Sequence, residues 1–376
     1  MKTKITFYLL VCVLALDCDL TQADNERPIP NVTVVNLNLF HGFDCDPAFP
    51  KEGDQCRLAE RVDLLFEHLA RIGCPDIVTL QEIVDVEFVQ RGETDIVGPL
   101  DSARDLVEAK LKPFTEVCGF EYQLLFLPFQ GIDEELILSR YKIQRSKLRL
   151  LHSALFQPDG EFQLFARHAM HARIKHPSGP IDVFTTHFSS PADFAENSCD
   201  SLALGFLFVP CPEECDRAGT VRECQARQLA QFVEKRHRVP NPAVITGDFN
   251  AEPGTTEYLE FTERGWVDTH LAAGKPECDR ETSIGCTAGR DGPAGDLESP
   301  ESNVDSRIDY ILWCHRPPVG QSVPVLSELQ VYLPANRTLS RKPVARYRMK
   351  SVGLLITMVT GLILSARMSG RIRPVN

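Results

Sequence analysis

Residues 243–253 read AVITGDFNAEP, a short apolar segment that runs directly into Gly-Asp-Phe-Asn. Its β-branched residues are typical of a buried strand, which places Asp248 and Asn250 at the strand's end. Polar side chains beside a buried strand cost desolvation free energy unless they are paired. The segment therefore predicts a sheet with a polar site at the end of one strand.

Four further segments have the same construction, with a polar residue at or near the end of an apolar run. Asn38 ends VTVVNLN, Glu82 follows DIVTLQ, His187 ends IDVFTTH and Asp309 lies in SRIDYIL. Each of these residues alone is typical of a turn, a helix cap or a structural histidine. Their repeated placement indicates that several strands contribute to one site.

The apolar spacing predicts helices that alternate with strands. Helical periodicity covers residues 57–72, 101–117 and 221–236. Strand patterns cover residues 32–38, 76–81, 122–127, 136–139, 162–174, 181–186, 243–246 and 308–313. Residues 189–220 and 268–306 are rich in Cys, Gly, Pro, Asp and Ser, which predicts long loops. This order favours a layered α/β fold with long loops at one end of its sheets.

The motifs LNLFHG, TLQEI, ELILSRYKI, TTHFSS, GDFNAEP and RIDYIL occur in this order over residues 31–315. In this combination the chain resembles the endonuclease/exonuclease/phosphatase superfamily, which includes DNase I-like nucleases, neutral sphingomyelinases and inositol polyphosphate phosphatases. The resemblance implies a four-layer α/β sandwich, in which two mixed β-sheets pack face to face with helices outside. It also implies a site at one edge of the sandwich.

The resemblance assigns a role to each strand-end residue. Asp248 is expected to orient and deprotonate the attacking water, and Asn250 to donate to a phosphate oxygen. His187 is expected to contact the phosphate and assist transfer. Glu82 is expected to hold a divalent ion, Mg²⁺ or Mn²⁺, with Asn38 beside it.

Two further residues complete the expected site. Asp309 matches the acid that orients a second, C-terminal histidine in the family. Either Glu134 or Glu135, where the ELILSR strand begins, is expected to hold His187 in its working orientation, and the sequence leaves this choice open.

The chain departs from the family in one respect. The family's last strand carries Ser-Asp-His, whereas this sequence has no histidine after His315. Either the chain is a catalytically weakened relative, or its C-terminal segment replaces the usual last strands. In both cases we expect lower activity than in a relative that has Ser-Asp-His.

The two ends of the chain differ in composition from its centre. Lys2 and Lys4 precede the apolar run 5–16 and the small-residue site Thr21-Gln22-Ala23, which predicts a secretory signal peptide over residues 1–23 rather than a buried first helix. The catalytic domain is then expected over residues 24–328. Residues 329–376 contain nine Lys/Arg and no acid. Their uncharged run 351–366 is short for a membrane anchor, so an unusual terminus is favoured over an anchor.

Thirteen cysteines agree with an exported chain, because exported cysteines usually form disulfides. The loop pairs Cys45/Cys56 and Cys278/Cys286 are disulfide candidates. Cys199, Cys211, Cys215 and Cys224 form a cluster for which disulfides are favoured over zinc, because the spacings match no familiar zinc site and no histidine lies among them. Eleven cysteines follow the signal, so one thiol is left over, and Cys314 is the candidate.

These features predict a secreted, metal-dependent phosphodiesterase. The formal net charge of −12 argues against bulk electrostatic binding of nucleic acid. A phospholipid substrate of the sphingomyelinase kind, with contact to a membrane surface, is favoured over an extracellular DNase I-like nuclease. A non-catalytic binding protein that keeps the fold is the alternative from another class. No protein partner is evident.

Overall fold

The structure is a computed structural model that describes residues 32–42, 58–83, 102–127, 134–153, 167–191, 195–196, 198–199, 202–204, 207–209, 211–238, 241–288 and 304–314, together with four two-residue strands beyond them. Twelve strands precede those four: β1 Val34–Gly42, β2 Ile77–Ile83, β3 Gln123–Phe126, β4 Glu134–Ser139, β5 Ile143–Leu150, β6 His168–His176, β7 Gly179–His187, β8 Leu202–Leu204, β9 Leu207–Val209, β10 Ala243–Asp248, β11 Val267–Asp268 and β12 Asp309–Cys314. The helices are α1 Leu58–Arg71, α2 Ala103–Cys118, α3 Val221–Arg236, α4 Thr256–Thr262 and α5 Thr269–Ala272, with a 3-10 turn at Glu213–Cys215.

The main strands form two mixed sheets. The first sheet has the order β1-β2-β4-β3, and the second has the order β11-β12-β10-β7-β6-β5. Strands β1 and β2 are parallel, as are β7 and β10, while the other neighbours are antiparallel. Parallel neighbours end at the same edge of a sheet, and their antiparallel neighbours begin there. One edge of the sandwich therefore collects the ends of β1, β2, β7 and β10 and the beginnings of β4, β6 and β12; we call it the site edge.

Three apolar cores separate four layers. The first lies between α1, α2 and the outer face of the first sheet, where Leu65 and Phe114 pack against Leu37 and Leu80. The second lies between α3, α4 and the outer face of the second sheet. The third joins the inner faces of the two sheets and includes Val34, Ile77, Val183 and Val244. The predicted four-layer α/β sandwich is thus confirmed.

Local signals fix the ends of the longer helices. The Ser102 side chain accepts a hydrogen bond from Asp105 N at 3.2 Å and begins α2, and Gly119 ends it at φ 74°. Thr220 caps α3 in the same way by accepting from Glu223 N at 3.1 Å. The predicted helix over 221–236 has these bounds in the structure.

Some elements were missed because their sequence pattern is weak. Strand β5 alternates apolar residues with Arg145, Lys147 and Arg149, and it forms an exposed sheet edge, where basic residues discourage unwanted pairing. Helix α4 has only seven residues, too few to give a clear period. The strand predicted over 162–174 is β6, shifted to His168–His176; residues 154–166 lie outside the described part.

Four disulfides join pairs of described cysteines: Cys74–Cys118, Cys199–Cys211, Cys215–Cys224 and Cys278–Cys286. The first was not anticipated, and it joins the loop after α1 to the end of α2. In the cluster, the sulfurs of Cys199, Cys211 and Cys224 lie within 4.8 Å of one another because two disulfides are adjacent, so disulfides were correctly favoured over zinc.

Cys314 is itself disulfide-bonded, so its prediction as the leftover thiol is wrong. It lies at the end of a central strand rather than in a loop, which gave no local sequence signal for a bridge. The candidates Cys45 and Cys56 and the predicted signal peptide lie outside the described residues.

The short strands beyond β12 are Ser327–Glu328 paired with Thr357–Met358, and Val331–Tyr332 paired with Gly361–Leu362. In the part of the chain that the structure describes, no helix is long and apolar enough to cross a membrane. The domain boundary at residue 328 and the anchor alternative stay predictions.

Gly247 permits the close approach of β10 to β7, and replacing it tests this packing. Its φ is 149°, and a Cβ there would lie 2.1 Å from Thr186 O. We expect Gly247→Ala to lower the free energy of unfolding by about 3 kcal/mol or more, from steric overlap and backbone strain together. Urea unfolding followed by circular dichroism measures the change.

Gly254→Ala is the matched control, because Gly254 also has positive φ (86°) but no atom within 4 Å of the added methyl. Strain alone is expected to cost about 1–2 kcal/mol there. If Gly247→Ala and Gly254→Ala lowered the free energy of unfolding equally, the predicted steric overlap with β7 would be contradicted.

Candidate active site

The site edge brings together residues from both sheets. In the second sheet, Asp248 at the end of β10 is the register partner of His187 on β7 and of Asp309 on β12. In the first sheet, Asn38 on β1 is the register partner of Gln81, which immediately precedes Glu82. The strand-end residues noted in the sequence are therefore neighbours in space.

The amide of Asn38 connects the two sheets at this edge. Its Nδ2 donates to Glu82 Oε1 at 2.7 Å and to Asp248 Oδ2 at 3.0 Å. Glu82 belongs to the first sheet and Asp248 to the second, so one amide holds two carboxylates from opposite layers. The two acidic groups face a common space rather than opposite rims.

Backbone irregularities aim two of these side chains. Glu82 has φ 58° and lies where the pairing of β2 with β4 shifts register between Leu80 and Ile83. Asn250 has φ 48° just beyond β10. Left-handed conformations of this kind cost about 1–3 kcal/mol at non-glycine residues and concentrate at functional sites.

The Gly-Asp-Phe-Asn turn is held by its own polar groups. Asn250 N donates to Asp248 Oδ1 at 2.8 Å, which closes an Asx-type turn. Asn250 Nδ2 donates to Phe188 O at 2.9 Å and lies 3.0 Å from His187 Nε2. Buried Phe249 packs against Phe188, so the intervening residue anchors the turn in the core.

His187 has neighbours at both ring nitrogens. Arg167 Nη1 lies 2.8 Å from His187 Nδ1, and Asp248 Oδ2 lies 3.7 Å from His187 Nε2. A guanidinium can only donate, so it pairs with an unprotonated Nδ1. The ring is thus held between Arg167 on one side and the Asp248/Asn250 turn on the other.

Arg167 is a site residue that the sequence reasoning missed. It immediately precedes β6, whereas most of the residues that the sequence singled out, such as Asn38 and His187, lie where a strand ends. Because β6 is antiparallel to β7, the beginning of β6 lies at the edge where β7 ends. The signal was a lone arginine before an apolar strand, and it is informative only once strand direction is known.

The two candidate glutamates have different surroundings in the structure. Glu135 lies against His168 Nε2, with both side chains fully buried, so it engages a different histidine from the expected His187. Of the two alternatives that the sequence left open, this contact disfavours Glu135, which points between the sheets toward β6. Glu134 is buried opposite Ile83 at the start of β4, and its role toward His187 stays a prediction.

Asp309 is held by a loop residue that was also missed. Thr287 Oγ1 accepts from Ile308 N at 3.0 Å and from Asp309 N at 3.1 Å. Thr287 follows directly on the loop that the Cys278–Cys286 disulfide closes. Asp309 Oδ1 is buried without a hydrogen-bond partner among the described residues.

The site concentrates negative charge in a buried space. The pKa of Asp248 is raised to about 7: burial is the main cause and the Glu82 carboxylate adds to it, while the Asn250 and Asn38 hydrogen bonds and Arg167 act in the other direction. Burial, together with the charges of Asp248 and Glu82, holds the pKa of Asp309 well above its ordinary value, although its hydrogen bond to Thr287 acts in the other direction. Each carboxylate thus disfavours ionisation of its neighbour.

The sequence model of the endonuclease/exonuclease/phosphatase family matches residues 35–341. The chain belongs to this family. The match contains every strand that contributes to the site edge, and it extends past the predicted domain boundary at residue 328. No curated protein matches the chain in sequence.

Solved structures match the chain only at low identity and with TM-scores below 0.5. A family protein from Leptotrichia buccalis is 14% identical, with a TM-score of 0.45, over 75% of this chain and 88% of that one. A mannosyl-6-phosphatase from Bacteroides thetaiotaomicron is 16% identical, with a TM-score of 0.44, over 75% and 85% of the two chains. A β-hairpin deletion mutant of beta toxin from Staphylococcus aureus is 17% identical, with a TM-score of 0.45, over 85% and 98%.

Family members generally use divalent metal ions, and the residues of this site fit one. Glu82, Asp248 and Asp309 offer carboxylate oxygens, the ligand atoms that hard cations such as Mg²⁺ or Mn²⁺ prefer. Among the described residues Asp309 Oδ1 has no hydrogen-bond partner, and the pKa values of Asp248 and Asp309 are raised, so a bound cation would favour the ionised form of both carboxylates. The donor set therefore fits a hard divalent cation.

The raised pKa of Asp248 predicts a pH-dependent stability of the metal-free protein. An unfolded Asp titrates near 3.8, and the folded one near 7, so between these values the folded state binds more protons. Stability then falls as pH rises through this window, by at most about 1.4 kcal/mol per pH unit for one group. We expect Asp248→Asn to flatten the fall, as measured by urea unfolding in EDTA from pH 4 to pH 7.

Asp216→Asn is the control for this experiment, since the Asp216 side chain is 83% exposed. Its pH profile is expected to follow that of the wild type. Parallel profiles for wild type and Asp248→Asn would contradict the raised pKa.

Proposed function

We propose that this chain is a secreted, divalent metal-dependent phosphodiesterase, with a phospholipid of the sphingomyelin kind as the favoured substrate. One observation carries the proposal: the Asn38 amide joins Glu82 of one sheet to Asp248 of the other, with His187 and Asn250 in contact beside them. Family membership supports phosphoester chemistry in general. The narrower assignment rests on the residues themselves.

Asp248 is the proposed base. Its carboxylate is buried with a pKa of about 7, close to the pH at which a general base is most effective. The Asn250 backbone and the Asn38 amide fix both of its oxygens, so it can aim a water molecule and accept its proton.

Asn250 and His187 are proposed to contact the phosphate. The Asn250 side-chain amide is anchored on Phe188 O and turned toward the His187 ring, so both groups can face one phosphate. Hydrogen bonds to the non-bridging oxygens stabilise the charge that accumulates in the transition state. Arg167, which contacts His187, supplies positive charge behind that ring.

A Mg²⁺ or Mn²⁺ ion would be held by Glu82, with Asn38 beside it. When bound, the ion supplies Lewis-acid polarisation of the phosphoryl oxygen and neutralises developing charge. It would also compensate the repulsion among the carboxylates of Glu82, Asp248 and Asp309.

The choice of substrate depends on the surroundings of the site. The acidic composition disfavours bulk attraction of nucleic acid, and the disulfide-rich insert over 199–224 favours the phospholipid assignment and contact with a membrane surface. One observation favours a nuclease as the second candidate: the edge strand β5 exposes Arg145 and Lys147. The partnerless Asp309 Oδ1 favours a third candidate, a binding protein with weakened chemistry.

Hydrolysis assays separate these candidates. We expect turnover of sphingomyelin vesicles and of bis(p-nitrophenyl) phosphate with Mg²⁺, little turnover of plasmid DNA, and none with EDTA. Asp248→Ala is expected to lower kcat by about 10²–10⁴-fold, the contribution of a positioned base. Initial rates for wild type, Asp248→Ala and the exposed-site control Asp216→Ala test this.

Three outcomes discriminate among the functions. Faster hydrolysis of DNA than of sphingomyelin would establish the nuclease. Turnover that persists in EDTA would contradict the metal dependence, and turnover that persists in Asp248→Ala would contradict the role of Asp248 as the base. No hydrolysis of any of the three substrates, in a protein that unfolds cooperatively, would point to the binding class.

The missing Ser-Asp-His motif gives a separate prediction. Replacing residues 316–376 by a last strand that carries Ser-Asp-His is expected to raise kcat at least about tenfold, because Asp309 would gain a histidine partner of the kind used in acid–base catalysis. The same graft with Ala for His is the control. An unchanged rate for the histidine graft would contradict the expected role of Asp309.

A further inference from the structure

Most of the interface between the two sheets is apolar. Residues such as Val34, Ile77, Ile137, Val183 and Val244 fill it without polar groups. Near the site edge the side chains change, and polar contacts cross from one sheet to the other on three successive facing strand pairs. These contacts are Asn38–Asp248 between β1 and β10, Gln81–Thr185 between β2 and β7, and Glu135–His168 between β4 and β6.

The middle contact lies beneath the site. Gln81 Nε2 donates to Thr185 Oγ1 at 3.0 Å, and both residues are completely buried. The same Nε2 donates to Asn36 Oδ1 at 2.8 Å, and Thr79 Oγ1 donates to that oxygen at 2.9 Å. The first of these bonds joins the sheets, whereas the other two stay within the first sheet.

Each partner in the cross-sheet bond is directly connected to a site residue. Gln81 immediately precedes Glu82 and is the register partner of Asn38. Thr185 lies two residues before His187 on the same strand and therefore on the same face. A displacement of one sheet against the other would move the Asn38/Glu82 half of the site relative to the His187/Asp248 half.

Apolar packing alone does not fix that displacement. The hydrophobic effect is non-directional, so small slips of one sheet over the other change buried area little. A buried hydrogen bond has narrow distance and angle limits, and breaking it leaves buried polar groups without partners, which is costly. A directional bond beneath the site thus restricts the relative position of its two halves.

We propose that Gln81 and Thr185 are positioning residues, whose cross-sheet hydrogen bond sets the distance between the two halves of the active site. The catalytic consequence rests on the proposed phosphodiesterase function. The geometric consequence does not, because it concerns only the position of His187 relative to the first sheet.

Two isosteric substitutions test the proposal. Thr185→Val removes the cross-sheet bond, and Thr79→Val removes a hydroxyl of the same burial whose bonds, to Val35 O and Asn36, lie within one sheet. We expect similar losses of thermal stability in both variants. Only Thr185→Val is expected to lower kcat, by about tenfold, with KM changed less than about threefold. Thr185→Ser keeps the hydroxyl and should retain the wild-type kcat within about threefold.

A second measurement is independent of activity. The His187 ring signals in two-dimensional NMR spectra of the metal-free protein report the surroundings of that side chain. We expect them to shift in Thr185→Val and to keep their wild-type positions in Thr79→Val and Thr185→Ser.

The outcomes separate the two proposals. If the wild type hydrolyses no phosphodiester, the proposed function fails, and the His187 signals alone decide the positioning role. If Thr185→Val and Thr79→Val affect kcat and the His187 signals equally, the positioning role is overturned while the phosphodiesterase stands.

Discussion

The site depends on one hydrogen-bonded amide between two carboxylates. Asn38 reaches Glu82 within its own sheet and Asp248 across the sandwich. Without a donor between them, the partly buried Glu82 and the buried Asp248 would repel each other and leave carboxylate oxygens unpaired. Neutralisation is still incomplete, because burial and the neighbouring acid hold the pKa of Asp248 near 7. The fold therefore assembles a cluster whose charge is balanced only when a cation or a proton is present.

Strand direction explains which residues reach that cluster. Strands β1, β2, β7 and β10 end at the site edge, whereas β4, β6 and β12 begin there. Polar residues at the ends of the first group and at the beginnings of the second meet in one place. Asn38, His187 and Asp248 belong to the first kind, and Arg167 and Asp309 to the second.

Strand direction also limits how much of the site could be predicted from the sequence. Apolar periodicity located most strands and three helices, and the strand-end residues and the GDFN turn indicated the site. Periodicity carries no information on strand direction, so Arg167 before β6 was missed, and the choice between Glu134 and Glu135 as the neighbour of His187 was left open. Thr287 was missed for another reason: it reaches Asp309 from a loop whose course depends on a disulfide and on distant pairing.

Two of the five described non-glycine residues with positive φ lie at the site edge. Glu82 and Asn250 have left-handed backbone conformations. At Gly247 the chain approaches Thr186 O so closely that the Cβ of any other residue type would overlap with it. Regular strands alternate their side chains strictly, so they cannot turn consecutive polar groups toward one point. The bulge before Ile83 and the turn after Asp248 break that alternation where the two sheets meet. Their conformational cost is compatible with a stable fold because three apolar cores lie behind the edge, and it yields the convergence that regular sheets do not provide.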